Sequence, residues 1–205
     1  MPPHRHGAII PARESFLNWR ATVRLDVRRL LPGGGLGCFG HAFFPPTFAD
    51  RVVALPAGAQ FEAFLDEHRD ALDGCLDGLT EEQARRSLVA SRTTLLGLVK
   101  HATFVEKVWF DEAVTGRSRA EIGIPERSEE SFVLDDGDTI ATVRRAHREA
   151  CAASRRATSS LDLDDILRGH RRGPLPLRWV YLHVLRELAQ HCGHADILRE
   201  QLLDG

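Results

Sequence analysis

Residues 177–203 read LRWVYLHVLRELAQHCGHADILREQLL, a proline-free run of 27 residues, and this run determines the predicted fold. Its apolar residues recur at three- and four-residue steps, which is the period of an amphipathic α-helix. At 100° per residue, His183, Glu187, His191 and His194 fall within an arc of about 80° that overlaps the apolar stripe. We therefore expect Glu187 and His191 to point towards the interior of a helical protein.

Three more long helices are predicted upstream of this one. The apolar spacing predicts helices over about 59–77, 93–114 and 138–159. Gly116 is predicted to end the second of these helices, and Asp138 is predicted to be the N-cap of the third. The sequence Thr80-Glu81-Glu82-Gln83 has the form of a capping box and predicts a short additional helix.

The links between the long helices indicate how they are arranged. A polar stretch of about twenty residues, which includes Pro125, joins the second and third long helices and is expected to cross the outside. A link of this length lets the two helices run in the same direction. Arg171–Pro176 is predicted to be a turn, and no alternating run with a hairpin turn indicates a strand. The sequence therefore predicts an all-α four-helix bundle over residues 58–205.

Residues 1–57 differ in kind from the rest of the chain. They hold seven of the ten prolines and a formal charge of +4, from seven Arg against three acidic residues. We expect an extension that is poorly structured or only partly helical, with one helix over about Ser15–Leu31. The basic face of that helix offers an alternative role in membrane-surface or nucleic-acid attachment. Another alternative is that the protein starts downstream, at Val52 or Val53.

Net charge, cysteine spacing and hydropathy indicate which classes of protein fit this chain. The net charge of −2 gives no electrostatic case for binding nucleic acid. The four cysteines form no C-x-x-C pair, so free thiols are expected rather than a disulfide framework. No apolar run reaches the roughly 18–20 residues of a membrane span, and the N-terminus lacks the apolar core of a secretory signal. A soluble, cytoplasmic protein is predicted. The cysteines are Cys38, Cys75, Cys151 and Cys192.

Ligand spacing predicts a metal site between two helices. Glu187 and His191 stand at i and i+4, so both side chains can bind one ion from a single helix. His101 shares an apolar face with Trp109 and is also expected to point inward. Two His and one carboxylate leave a coordination position open, as in catalytic sites. The alternatives are a weak Glu–His ion pair, or a core histidine that packs or hydrogen-bonds, as expected for His68.

Two stretches resemble one known family. TLLGLVKHATFVEKVWF at 94–110, and RWVYLH at 178–183 followed by ExxxHxGHAD at 187–196, resemble actinobacterial DinB-like proteins. The resemblance lies in the branch with the mycothiol-dependent transferases and the mini-circle proteins, and it covers about 58–205. It implies an up-down-down-up four-helix bundle that binds a metal through two His and one Glu. The implied ligands are His101, Glu187 and His191, with His183, His194 and Asp196 as candidates for supporting positions.

The resemblance leads to an enzyme hypothesis and two alternatives. A divalent ion, with zinc expected ahead of nickel or iron, would activate a mycothiol-like thiol for attack on an electrophile, as a transferase or a thiol-assisted isomerase. The first alternative is a hydrolase that uses a metal-bound water. The second is a non-catalytic bundle that binds metal or dimerises. The expected partners are a small-molecule thiol, an electrophile and a second copy of the chain, with no nucleic acid. On spacing alone, His183 or His194 could replace His191 as a ligand.

Overall fold

Helices dominate the part of the chain that the computed structural model describes, residues 51–203. Four of them are long and form the bundle. The predicted Ser15–Leu31 helix and nearly all of the predicted extension lie outside the described residues. In chain order, the helices are α1 (Ala57–Gly74), α2 (Glu81–Arg85), α3 (Leu95–Glu106), α4 (Ala113–Thr115), α5 (Arg119–Ile122), α6 (Ile140–Thr158) and α7 (Leu177–Leu203).

Helices α1 and α7 run in the same direction. Near the start of both, the hydroxyl of Tyr181 donates a hydrogen bond to the carboxylate of Glu62. Near the end of both, the guanidinium of Arg199 donates to the backbone carbonyl of Cys75 at 2.7 Å. Because the contacts advance together along the two helices, α1 and α7 are parallel.

Helix α6 runs against α1. The guanidinium of Arg155, near the end of α6, donates to Asp66 in the middle of α1 at 2.6 Å. The guanidinium of Arg144, near the start of α6, donates to Asp73 at the end of α1 at 2.6 Å. The contacts advance in opposite directions, so the two helices are antiparallel.

Helix α3 runs against α7, and this contact completes the topology. The ring of His101 lies 4.8 Å from that of His191, whereas Trp109, two turns further along, lies 4.2 Å from His183. Taken with the directions of α1 and α6, the order is up-down-down-up. The all-α four-helix bundle predicted from the sequence is confirmed. The long link between α3 and α6 is what allows these two neighbours to run in the same direction.

Most predicted helix ends agree with the structure, and one is wrong. Thr80 and Gln83 form the predicted capping box, and Gly116, with φ of 70°, follows the last turn of α4. The N-cap of α6 is Thr139 rather than Asp138, because the Thr139 hydroxyl accepts the backbone N–H of Thr142. The Asp138 carboxylate is instead engaged by Lys100 at 2.6 Å.

A short strand pair precedes α7, contrary to the expectation that the chain has no strand. Ile166–Leu167 pairs antiparallel with Leu175–Pro176. Two residues on each side are too few to show the alternation from which a strand is read in a sequence. The pair closes the loop that carries His170, and it leads directly into the first turn of α7.

A π-helical segment, Lys107–Glu112, joins α3 to α4. In it, three consecutive side chains are buried, namely Val108, Trp109 and Phe110. Such burial is not specific to the π-helical segment, since residues 101–106 of α3 are all buried as well. Trp109 faces α7 beside the candidate site, and Phe110 packs in the core against Tyr181 at 5.6 Å.

The core is mostly apolar, but it holds two buried ionic contacts. One joins Arg119 to Glu112 at 2.9 Å. In the other, Glu106 of α3 is fully buried and accepts two hydrogen bonds of 2.8 Å from Arg69 of α1. Within residues 51–203, no helix is both long and apolar enough to cross a lipid bilayer. The largest apolar residues that are fully buried include Leu65, Leu72, Leu76, Leu96, Leu98, Phe110, Leu177 and Leu188.

Candidate metal centre

Three ionisable side chains converge between α3 and α7. His101 comes from α3, and Glu187 and His191 come from successive turns of α7. One ligand atom of each lies within 4.8 Å of those of the other two. In the described part of the chain, this is the one group of three His, Cys, Asp or Glu side chains close enough to hold a metal ion.

The three side chains of the group differ in exposure. His101 is 6% exposed and the side chain of His191 is 13% exposed, whereas that of Glu187 is 29% exposed. The two imidazole rings stand nearly perpendicular, at 81°. Glu187 is therefore the most exposed of the three candidate ligands.

The orientation of His101 is set by a residue outside the four long helices. Its Nδ1 atom lies 2.7 Å from the hydroxyl of Ser131, which itself donates to the carbonyl of Ser128 at 2.5 Å. Since a serine hydroxyl has one proton, Ser131 accepts from His101, and Nδ1 carries the ring proton. The lone pair of Nε2 is then free to bind a cation. The ring of Phe132 stacks on the imidazole at 4.0 Å.

The two ring nitrogens of His191 are buried without a hydrogen-bond partner. Among the residues described, neither Nδ1 nor Nε2 of this ring has one. Its nearest charged group is Glu187, whose Oε2 lies 3.8 Å from Nε2, beyond hydrogen-bonding distance. Buried polar atoms are nearly always paired, and leaving one unpaired costs free energy. A cation bound to this ring would remove that cost.

Both histidines of the group are held in the neutral form. Burial, reinforced by the neighbouring His191, lowers the pKa of His101 to about 3. Burial also lowers the pKa of His191, although the charge of Glu187 opposes this shift. Only a neutral imidazole offers a lone pair to a metal. The two rings are therefore ready to act as ligands at neutral pH.

His183 lies beside the group but outside it. The guanidinium of Arg186 donates to its Nδ1 at 3.0 Å, so in the neutral ring the proton is on Nε2. That Nε2–H lies 3.7 Å from Oε1 of Glu187. This distance is too long for a hydrogen bond. With Nδ1 engaged by Arg186 and Nε2 protonated, the neutral ring of His183 has no free lone pair for a cation. Burial lowers its pKa, which also favours the neutral form.

The group does not include His194, Asp196 or His68. His194 is exposed, and its ring centre lies 5.7 Å from that of His191. Asp196 is half-buried and interacts with other residues. His68 donates from Nδ1 to the backbone carbonyl of Phe64 at 2.7 Å, as expected of a core histidine.

Several neighbours of the group could not be found from sequence. Ser131 and Phe132 lie in the 3₁₀ turn Ser128–Phe132, inside the polar stretch that was expected only to cross the outside. His170 lies in the loop closed by the short strand pair. These segments have no helical period, so nothing in their pattern indicates which side chains face the site.

The fold and the site together define an all-α bundle with a His-Glu-His candidate metal centre between two of its helices. The family model described as mycothiol-S-transferase matches residues 60–205, more than two thirds of the chain. The chain therefore belongs to the mycothiol-S-transferase family, in agreement with the resemblance seen in the sequence. A search of curated proteins finds no match.

Proposed function

We propose that this protein is a metal-dependent thiol S-transferase that joins mycothiol, or a similar low-molecular-weight thiol, to an electrophile. His101, Glu187 and His191 would hold one divalent ion, with zinc expected first. When bound, such an ion lowers the pKa of a thiol that coordinates it, so thiolate is available near neutral pH. The family supports the thiol and the type of reaction.

The observation that carries the proposal is the buried, unpartnered imidazole of His191 beside two other ligand-type side chains. An ordinary core histidine would have a hydrogen-bond partner, as His68 does. The alternative, a Glu–His ion pair on one helix, accounts for Glu187 and His191 but gives no role to the neutral His101 beside them. A shared cation explains all three groups at once.

The chain's own residues would prepare the site in three ways. Ser131 holds the proton on Nδ1 of His101, so that its Nε2 lone pair is available. His183, whose Nε2 lies 3.7 Å from Oε1 of Glu187, limits the space in which that carboxylate can move. Phe132 covers one face of His101 and keeps water away from it. No side-chain nucleophile is needed, because the attacking sulfur comes from the thiol substrate.

Metal content tests the binding step. The protein is purified without chelator, and bound metals are measured by elemental analysis. We expect about one equivalent of zinc in the wild type and in His194→Ala, the exposed histidine of the same helix, and loss of the metal in Glu187→Ala and His191→Ala. A folded wild type that stays metal-free when zinc is supplied would overturn the metal proposal and favour a non-catalytic bundle.

A conjugation assay tests the chemistry. Zinc-loaded protein is incubated with a chloronitroaryl electrophile and with mycothiol, glutathione or no thiol. We expect thioether formation with mycothiol that is lost in His191→Ala. Hydrolysis of ester or amide substrates without added thiol would instead support the hydrolase alternative, in which water takes the place of the thiol.

We also propose that the protein works in the cytoplasm as a homodimer. Cys75 and Cys151 are buried free thiols, and free thiols suit a reducing compartment. The dimer is a prediction that light scattering of the full chain can test. A monomer at micromolar concentration would contradict it.

A further inference from the structure

Four aromatic rings lie in contact beside Glu187, and we refer to them as the ring platform. Trp109 stacks on His170 at 4.3 Å and contacts His183 at 4.2 Å. Trp179 lies 5.0 Å from His183, within 6° of parallel, and 5.6 Å from Trp109. Nε2 of His183 lies 3.7 Å from Oε1 of Glu187, so the platform adjoins the most exposed of the three candidate ligands.

The ring platform is buried at one end and exposed at the other. Trp109 and His170 are buried, whereas Trp179 is 37% exposed. Trp179 lies eight residues before Glu187 on α7, or about 12 Å along the helix. An exposed indole held flat against a neighbouring ring offers rigid aromatic surface to a planar ligand. A small molecule that stacks on Trp179 could therefore also reach the candidate metal centre.

Two arginines border the ring platform. Arg186 donates to Nδ1 of His183 at 3.0 Å and lies 3.6 Å from Oε1 of Glu187. Arg172 belongs to the loop of His170, and its backbone N–H donates to Nδ1 of His170 at 3.1 Å. Within residues 51–203, no carboxylate pairs with Arg172. The approach to the candidate metal centre is thus aromatic and positively charged.

We infer that the electrophile of this site is a planar, conjugated carboxylate that stacks at Trp179, with its anionic group at Arg172 and its reacting carbon towards Glu187. The inference rests on the proposed transferase function, since it assigns the second substrate of that reaction. Charge complementarity selects the anionic group, and the flat indole selects the planar one. A neutral aliphatic electrophile would use neither feature.

A pair of matched electrophiles makes the inference testable. In 4-chloro-3-nitrobenzoate, the thiolate sulfur attacks the carbon that bears chlorine and forms the C–S bond. The C–Cl bond breaks, chloride leaves with the bonding electrons, and the thiol proton passes to the buffer. The neutral partner is 4-chloro-3-nitrobenzamide, which reacts in the same way without the carboxylate. Each rate is divided by the uncatalysed rate with the same thiol.

The assay uses the zinc-loaded full chain with mycothiol. We expect kcat/KM to favour the benzoate in the wild type, and Arg172→Gln to reduce this preference about fivefold while leaving the benzamide rate unchanged. Trp179→Leu should lower both rates about tenfold, because both substrates are planar. Arg168→Gln, an exposed arginine of the same loop, is the control and should keep the wild-type preference.

Binding without turnover separates the two proposals. The unreactive 3-nitrobenzoate, added without thiol, should quench tryptophan fluorescence with a Kd that rises about fivefold in Arg172→Gln and stays unchanged in Arg168→Gln. If that difference is seen but no thiol is conjugated, the anion site stands and the transferase fails. If conjugation occurs with equal preference in Arg172→Gln and Arg168→Gln, the transferase stands and this inference is overturned. Absence of both effects overturns both.

Discussion

The Oγ atom of Ser131 lies 2.7 Å from Nδ1 of His101, although the two residues are 30 positions apart. Through this contact, the link between α3 and α6 takes part in the candidate metal centre. The Ser131 proton is donated to Ser128, so the state of the His101 ring depends on a 3₁₀ turn. Neighbours of this kind commonly tune the affinity of a metal site.

Replacing Ser131 should weaken metal binding without removing a ligand. In Ser131→Ala, the Nδ1–H of His101 loses its acceptor, and we expect zinc affinity to fall by about 10- to 100-fold. Competition with a chromophoric chelator measures the Kd. Ser154→Ala is the control, because that serine is also buried but bonds to Ala150 in α6. Equal affinity in Ser131→Ala and the wild type would show that the loop does not support the ligand.

The unpartnered ring of His191 should lower the free energy of unfolding of the metal-free protein, compared with a variant that has an apolar side chain at this position. We expect His191→Leu to raise the free energy of unfolding in EDTA by about 1 kcal/mol, since it removes a buried polar group that lacks a partner. The same variant should lose the extra stability that zinc gives to the wild type. Urea unfolding with EDTA or with zinc measures both effects.

The control for His191→Leu is a leucine substitution at a neighbouring exposed position. Gln190→Leu changes an exposed position of the same helix and should alter the stability by less than about 0.5 kcal/mol in either buffer. A His191→Leu protein that is less stable in EDTA than the wild type would show that the ring has a favourable role in the absence of metal.

The bundle and the convergence of two helices could be predicted from sequence because both depend on helical period. Glu187 and His191 are four residues apart on one apolar stripe, and His101 lies on another. A period of 3.6 residues converts such spacing directly into direction. The ligand role of these residues is still a prediction, which the metal analysis above tests.

The surroundings of the site could not be predicted because they come from segments without a period. Ser131 and Phe132 lie in a 3₁₀ turn, and His170 lies in a loop closed by two residue pairs. Trp109 is different, because its spacing from His101 predicts a shared inward face, and its ring does lie 4.2 Å from that of His183 on α7. His194 shows the opposite error, since it shares the predicted arc and yet is exposed. The helical period predicts which way a side chain points. It does not predict whether a neighbouring element extends far enough along the helix to cover that side chain.

Acid should destabilise the metal-free fold through buried histidines. Burial lowers the pKa of His147, which is 1% exposed, below its usual value of about 6.5. Below pH 6.5, the unfolded chain therefore binds a proton that the folded chain does not. The free energy of unfolding falls as the pH drops from about 6.5 towards the folded pKa, and this histidine contributes nothing above that range.

The pH dependence of the free energy of unfolding shows how much of the acid effect comes from His147. One buried histidine contributes a slope of up to about 1.4 kcal/mol per pH unit, and His147→Leu should remove that share between pH 6.5 and 5. Urea unfolding in EDTA at several pH values measures the slope. Val143→Ala lowers the stability of the same helix without removing a titrating group, so its slope should equal that of the wild type. An unchanged slope in His147→Leu would contradict the prediction.

Gly169 lies where no larger residue fits. A Cβ atom added there would lie 2.2 Å from the carbonyl oxygen of Glu112 and 2.5 Å from the backbone nitrogen of Gly116, and neither atom can move alone. We expect Gly169→Ala to lower the free energy of unfolding by about 1–3 kcal/mol. Because His170 is the next residue, its stacking on Trp109 should also change, which a shift in near-UV circular dichroism would report.

Gly193→Ala is the matched control. No atom lies within 4 Å of a Cβ at that helical position, so alanine should be neutral or stabilise by up to about 1 kcal/mol. Equal stability of the two variants would mean that the loop carrying His170 yields to the added methyl group.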